Sequence, residues 1–197
     1  MKVVVCDDSS TDNTRAAARQ NSDRMDLTVI EHNINRGLGE TSRDLFEYAA
    51  MVSSDDDYIV RMDADNTHSP SVITSMIQKI DSGSDVVIAS RFQPGGGQMG
   101  VSTYRSFVSY MANLFMKIIF PIKGVREYSC GFRCYKASII KRAVKGYKNN
   151  FIQLKGLGFT GTLEKLIKLH LLGARVSEVP FVLRYDLKES SSKMVSS

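Results

Sequence analysis

The chain has 197 residues, 43% hydrophobic and 24% charged, with 14 glycines and 4 prolines, which fits one ordinary globular domain and excludes disorder, collagen and coiled coil. At this length a single core buries roughly 70% of the surface that the unfolded chain exposes. The net charge of +5 is unevenly spread: residues 1–100 carry 9 Lys/Arg against 16 Asp/Glu, and residues 101–197 carry 17 against 5. An acidic half suits a metal cation, and a basic half suits a phosphorylated ligand or an anionic membrane surface.

In chain order, Lys2 to Cys6 is an apolar β-branched run, read as a strand buried on both faces, and it ends at Asp7-Asp8. A helix is expected over about 12–20, a strand over 27–30, a glycine-bearing loop over 32–39 and a helix over 40–52. Tyr58 to Met62 predicts a third strand closing on Asp63-Ala64-Asp65. Ser69-Pro70 marks a helix start running to Asp81, and 85–89 gives a fourth strand. Pro94 to Gly97 is a loop, and 102–120 a long helix with a wide apolar face. That face reads foremost as core and alternatively as an interfacial face on lipid. A helix over 160–172 stops at Gly173, 174–183 is extended, and residues 188–197 read as a flexible serine-rich tail after a single domain over 1–187.

Alternating strands and helices predict an α/β fold with a mostly parallel sheet, whose ligands bind at the carboxyl ends of the strands. Asp7/Asp8 and Asp63/Asp65 both lie at such ends. Two carboxylates one residue apart can share a hard cation such as Mg²⁺ or Mn²⁺ and leave positions for phosphate oxygens. Without a cation a diphosphate would be repelled, since unit charges ~4 Å apart interact by about 4 kcal/mol at an effective dielectric near 20. Asp and Ser after the first strand also serve as helix caps. Arg91, Arg105, Arg126 and Arg133 fall within 43 residues beside these loops, and guanidinium is the preferred partner of phosphate. His68, three residues past Asp65, is placed to face the site, whereas His32 and His170 read as structural.

Cys6, Cys130 and Cys134 cannot all pair and have no zinc spacing, so they read as reduced core thiols in a cytosolic chain. No secretory signal or bilayer-spanning run is visible, and no nucleic-acid-binding signature, so no nucleic-acid partner is expected. A receiver module would need a Met-Pro turn after Asp63, which the sequence lacks. A haloacid-dehalogenase-like phosphatase would match Asp63-x-Asp65-x-Thr67 but needs a second acidic pair, and none follows residue 100.

Taken together, VVVCDDSSTDNT (3–14), NRGLG (35–39), MDADNTHSP (62–70), ASRFQPGGG (89–97), YSCGFRCYK (128–136), EVPFVLRY (178–185) and the following SSSKM resemble, in order, the family 2 glycosyltransferases, and within them the dolichol-phosphate mannose synthase branch. The resemblance implies a GT-A, Rossmann-like fold that moves a hexose, with mannose from GDP-mannose as the branch expectation. The acceptor would be dolichyl or undecaprenyl phosphate at the cytoplasmic face of a membrane, with a peripherally bound enzyme and Mg²⁺ or Mn²⁺. Carried over by position, Asp7, with Asp8 beside it, would hold the nucleotide base, and Asp63 and Asp65 the cation. Arg105 and Arg133 would grip the acceptor phosphate, with Arg126 a weaker candidate, and Asp65 and Glu127, the latter standing where the branch has Asp, would complete the catalytic set with them. Arg91, Arg184 and Lys193 would help hold donor phosphates or close a loop over them. The branch starts about thirty residues earlier, so a first strand is expected to be missing, and a catalytically silent nucleotide-sugar-binding remnant is the alternative.

Overall fold

A computed structural model describes residues 1–154 and 160–188. Strand β1 (Lys2–Asp7) pairs in parallel with β2 (Asp26–Glu31), in a register that sets Val3 opposite Leu27 and Asp7 opposite Glu31. Helix α1 (Thr14–Gln20) connects them and buries no residue. The two strands form a sheet of their own, so β1 is half-buried rather than buried on both faces. Helix α2 (Gly37–Val52) begins three residues before the expected start. The Asp8 carboxylate accepts from the backbone N–H groups of Arg36 (2.8 Å) and Gly37 (2.7 Å) and so caps the first turn.

The main sheet contains β3 (Tyr58–Arg61), β4 (Val86–Ser90), β6 (Arg133–Lys136) and β7 (Val176–Pro180), in the order β3-β6-β4-β7. β4 and β7 are parallel, but β6 runs antiparallel between β3 and β4, so the sheet is mixed. β6 and the helix after it, α5 (Ala137–Tyr147), had no counterpart in the expected elements. Their signal is short: four strand residues, then Ile139, Ile140 and Ala143 buried on one helical face. The extended segment 174–183 divides at Phe181, whose N–H donates to Ser90 O while its carbonyl accepts from Gly97 N–H. Beyond that point β8 (Val182–Arg184) pairs with β5 (Gly97–Met99).

Every residue of β4 is buried, and Val87, Ile88, Phe132, Cys134, Leu166 and Phe181 form one core with Met76 of α3 (Ile73–Asp81). A second core joins Phe46, Tyr135, Ile140 and Phe151 to Leu169 of α6 (Thr160–Leu171). Gly173 closes α6 in the left-handed region at φ +84°.

Helix α4 (Thr103–Ile119) departs from the core reading of its apolar face: among its residues only Asn113 is buried. Tyr104, Phe107, Met111, Phe115 and Ile118 recur at helical spacing, and Phe107, Phe115 and Ile118 are 61%, 56% and 71% exposed. No helix among the described residues is long and apolar enough to cross a membrane.

Candidate functional site

The carboxyl end of β3 leads into Asp63-Ala64-Asp65-Asn66-Thr67-His68, and this turn is held from several sides. Asp65 Oδ1 accepts from Thr67 Oγ1 at 2.6 Å, with Asn66 in the left-handed region at φ +62°, a conformation that asparagine tolerates. Arg61 Nη2 lies 2.8 Å from Asp63 Oδ1. The buried His68 stacks on Phe132 at 5.0 Å and meets Phe181 edge-on. Its Nδ1 accepts from the Asp63 backbone N–H at 3.0 Å, which puts the ring proton on Nε2, 3.9 Å from Asp63 Oδ2. His68 thus faces the site and orients Asp63, and burial together with the Arg61 charge outweighs the nearby carboxylates in lowering its pKa.

Asp65 has a further partner in Lys188, whose Nζ lies 2.5 Å from Oδ2. Burial opposes ionisation of Asp65, but the bonds from Lys188 and Thr67 hold its pKa below the usual carboxylate value. Lys188 belongs to the segment expected to be a flexible tail. Here it follows a 3₁₀ turn, Tyr185–Leu187, that is fastened to the site by the Arg184 N–H on Thr67 O. Lys193 lies outside the described residues.

Asp63 and Asp65 supply two hard oxygen donors, and among the described residues no third His, Cys, Asp or Glu completes a cage with them. That donor set fits Mg²⁺ or Mn²⁺ arriving with a diphosphate, because such ions prefer a few carboxylates plus phosphate and water oxygens.

Asp7 and Asp8 have partners of their own. Asp7 is 2% exposed, and Arg15 donates to its Oδ2 through Nε at 3.0 Å and Nη2 at 2.8 Å. The bonds to Ser10 and Arg15 lower its pKa. Asp8 caps α2 and accepts from the ring of His32 (Nδ1–Oδ1 2.6 Å), so its carboxylate is structural rather than aimed at a base.

The arginines divide sharply. Arg133, expected on the acceptor phosphate, is 0% exposed and donates to the carbonyls of Cys130, Thr162 and Tyr128, each at 2.9 Å, so it braces the chain between β6 and α6. Glu127, also 0% exposed, is no free acid or base: Arg91 binds it through Nε (2.7 Å) and Nη2 (2.9 Å), and Ser129 Oγ donates to it at 2.7 Å. Burial pushes the Glu127 pKa upward, yet Arg91 and Ser129 hold it below the ordinary value. Arg91 is committed in turn to Glu127, Ser129, Gln98 and Ser109, which removes it as a donor-phosphate ligand. Arg184 pairs with Asp186 at 2.8 Å. Arg105 lies over the Tyr185 ring with Cζ 5.3 Å from its centroid. Arg126 is exposed, with Nη1 donating to Phe92 O at 3.3 Å, and lines an open groove with Lys117 and Lys123 at the end of α4.

Arg61, Lys188 and Lys165 were not expected at the site. Lys165 of α6 is buried, donates to Ser42 Oγ of α2 at 2.7 Å, and lines with Arg61 and Gly39 a cavity of about 10 Å³. Burial and the charges of Arg61 and Arg133 depress its pKa well below the usual lysine value. Only the tertiary fold assembles these cations; in sequence each is an isolated Lys or Arg. The three cysteines are free: burial raises Cys130 and Cys134 to about 12, as expected of inert core thiols, whereas Cys6 is only half-buried with Sγ 3.7 Å from His32 Nε2, and burial with the charges of Asp44 and Asp8 raises it to about 11.

Comparison with known proteins gives the family and the fold. The profile of Glycosyl transferase family 2 matches residues 1–145. A dolichol-phosphate mannosyltransferase of Pyrococcus furiosus is 33% identical over 181 residues, covering 91% of this chain and 47% of that protein, so the chain spans about half of that relative. An undecaprenyl-phosphate mannosyltransferase of Micrococcus luteus is 30% identical over 191 residues, covering 95% and 74%. Among solved structures, the mannosyltransferase PcManGT of Pyrobaculum calidifontis, in complex with GDP-Man and Mn²⁺, superposes with a TM-score of 0.59 at 17% identity, covering 96% of this chain and 49% of that one. The fold is the GT-A fold of glycosyltransferases.

Proposed function

This chain belongs to glycosyl transferase family 2, and on that premise we propose that it transfers a hexose from a nucleotide-diphosphate sugar to a polyprenyl phosphate, with inversion at the anomeric carbon. The observation that carries the proposal is the Asp63/Asp65 turn at the carboxyl end of β3, preset by Arg61, His68 and Thr67. The two relatives named above supply the acceptor class, and mannose from GDP-mannose is the donor to test first.

Asp63 and Asp65 would hold Mg²⁺ or Mn²⁺, which when bound neutralises the donor diphosphate and stabilises it as leaving group. The acceptor phosphate is anionic at neutral pH, so its oxygen can attack the anomeric carbon without a general base. One carbon–oxygen bond forms as the bond to the nucleoside diphosphate breaks. The chain's work is positioning and charge neutralisation. Arg105, at the start of α4, and the exposed Arg126 remain candidates for the acceptor phosphate. Asp7 could meet a nucleotide base through Oδ1, whose contact with Ser10 N–H is long, at 3.4 Å. Arg184 could reach a donor phosphate by leaving Asp186. The exposed stripe of α4, flanked by Arg105 and Lys117, would lie on the membrane that carries the lipid.

The test is calorimetric titration with GDP, GDP-mannose, UDP and UDP-glucose, in Mn²⁺ and again in EDTA, followed by transfer of labelled sugar to polyprenyl phosphate. Metal-dependent binding of one nucleotide, followed by transfer, is expected. Binding without transfer would identify a catalytically silent nucleotide-sugar-binding chain, and absence of both would sink the donor site.

A further inference from the structure

We infer that Lys188 is a built-in counterion of the Asp63/Asp65 turn, which yields Asp65 to the incoming cation and then binds the donor's diphosphate. The inference rests on the proposal that these aspartates hold a donor-bound cation. Lys188 Nζ sits 2.5 Å from Asp65 Oδ2, with the Lys188 side chain only 16% exposed, while the other oxygen of Asp65 accepts from Thr67. The ammonium thus stands on the carboxylate oxygen that remains for a metal. An ammonium and a divalent cation on one oxygen repel each other, so occupation by one favours departure of the other.

The backbone around Lys188 limits where it can go. Arg184 N–H bonds Thr67 O at 3.2 Å, and β8 is paired with β5. A Cβ at Gly100 would come within 2.4 Å of Asp186 N, so the 3₁₀ turn is seated directly against residue 100. The anchored backbone leaves the four-carbon stem free to swing, which keeps the displaced ammonium within a side chain's length of any diphosphate held at Asp65. Lys188 Nζ and Arg105 Cζ both lie over the Tyr185 ring, each 5.3 Å from its centroid, so the change at Asp65 takes place close to a candidate for the acceptor phosphate. Lys188 would therefore act twice, with opposite signs: against the cation alone, and in favour of the cation–nucleotide pair.

Lys188→Met keeps the apolar stem and removes the charge. In the full-length chain, free Mn²⁺ is measured by its electron paramagnetic resonance signal, first without nucleotide and then with GDP and UDP titrated at saturating Mn²⁺. The variant is expected to bind Mn²⁺ alone about fivefold tighter and the nucleotide about fivefold weaker, the scale of one partly exposed ion pair. Lys188→Arg, which retains the charge, should keep the nucleotide affinity. Equal affinities of wild type and Lys188→Met for both ligands would overturn the inference while leaving the cation proposal intact. Weakening of both ligands with a lowered unfolding temperature would also overturn it, because Lys188 would then merely support the turn. If neither wild type nor the variant bound Mn²⁺, the cation proposal would fail and take this inference with it.

Discussion

The guanidinium of Arg61 fills the space over Gly131: a Cβ at residue 131 would lie 1.6 Å from Nη1 and 2.8 Å from Cζ. The same guanidinium pairs with Asp63, so a glycine on the approach to β6 sets the position of a candidate metal ligand just past the carboxyl end of β3, the end at which antiparallel β6 begins. Gly131→Ala should push Arg61 off Asp63 and cost about 1–3 kcal/mol of stability through overpacking. In an Arg61→Ala background the cost should fall well below that. Urea unfolding of the two single variants and the double variant measures the coupling, and strictly additive losses would contradict the contact.

Asp65→Asn should weaken Mn²⁺ binding at least about tenfold, a loss of roughly 1.4 kcal/mol. Asparagine keeps an oxygen for the Thr67 bond but loses the ion pair with Lys188, so the unfolding temperature should fall modestly, by the worth of one partly exposed ion pair. Unchanged Mn²⁺ affinity would remove Asp65 from the metal assignment.

Arg133→Ala should destabilise the fold by about 3 kcal/mol or more, because three buried carbonyls lose their donor. Loss of activity should then track loss of folded protein, with donor and acceptor affected together. A well-folded Arg133→Ala chain with a selective acceptor defect would restore the phosphate-binding role that the resemblance implied.

His32 makes stability depend on pH. Its Nδ1 faces Asp8 at 2.6 Å and its Nε2 faces Asp44 at 2.9 Å, with Arg36 and Cys6 also nearby. Two carboxylates on one ring favour the doubly protonated form, and the Asp8 bond is the largest cause of its pKa lying above the usual 6.5. The folded state therefore binds the proton more tightly than the unfolded state. The stabilisation is complete below pH 6.5 and is lost as pH rises through the folded-state pKa. Compared with His32→Gln, the wild type should hold its largest advantage in urea near pH 6 or just below and a shrinking one towards about pH 9. A constant difference across that range would show that His32 is not charged in the fold.

Glutamate at Phe115 and Ile118 should reduce sedimentation with anionic vesicles several-fold while leaving the unfolding temperature unchanged, since both side chains face solvent. A fall in stability instead would mean that the α4 face is packed against protein.

Much of the fold is legible in the sequence itself. The strand end at Asp7, the strand end just before Asp63, the Ser69-Pro70 helix start, the glycine stop at 173 and the order of the motifs are local patterns of side-chain period and turn chemistry, which a chain displays along its own length. The Asp-Ala-Asp turn was therefore visible as a candidate cation site. What only the tertiary structure decided was the employment of each charge. Arg133 and Arg91 look in sequence like phosphate ligands, yet burial obliges their guanidinium groups to find partners inside the protein, and they find carbonyls and Glu127. Lys188 looks like the start of a loose tail, yet β8 pairing with β5 carries it back across 123 positions of chain to Asp65. The antiparallel insertion of β6 is likewise a long-range pairing with no local signature. Residue type states which charges are present; desolvation and chain topology assign their partners, and neither acts until distant segments meet.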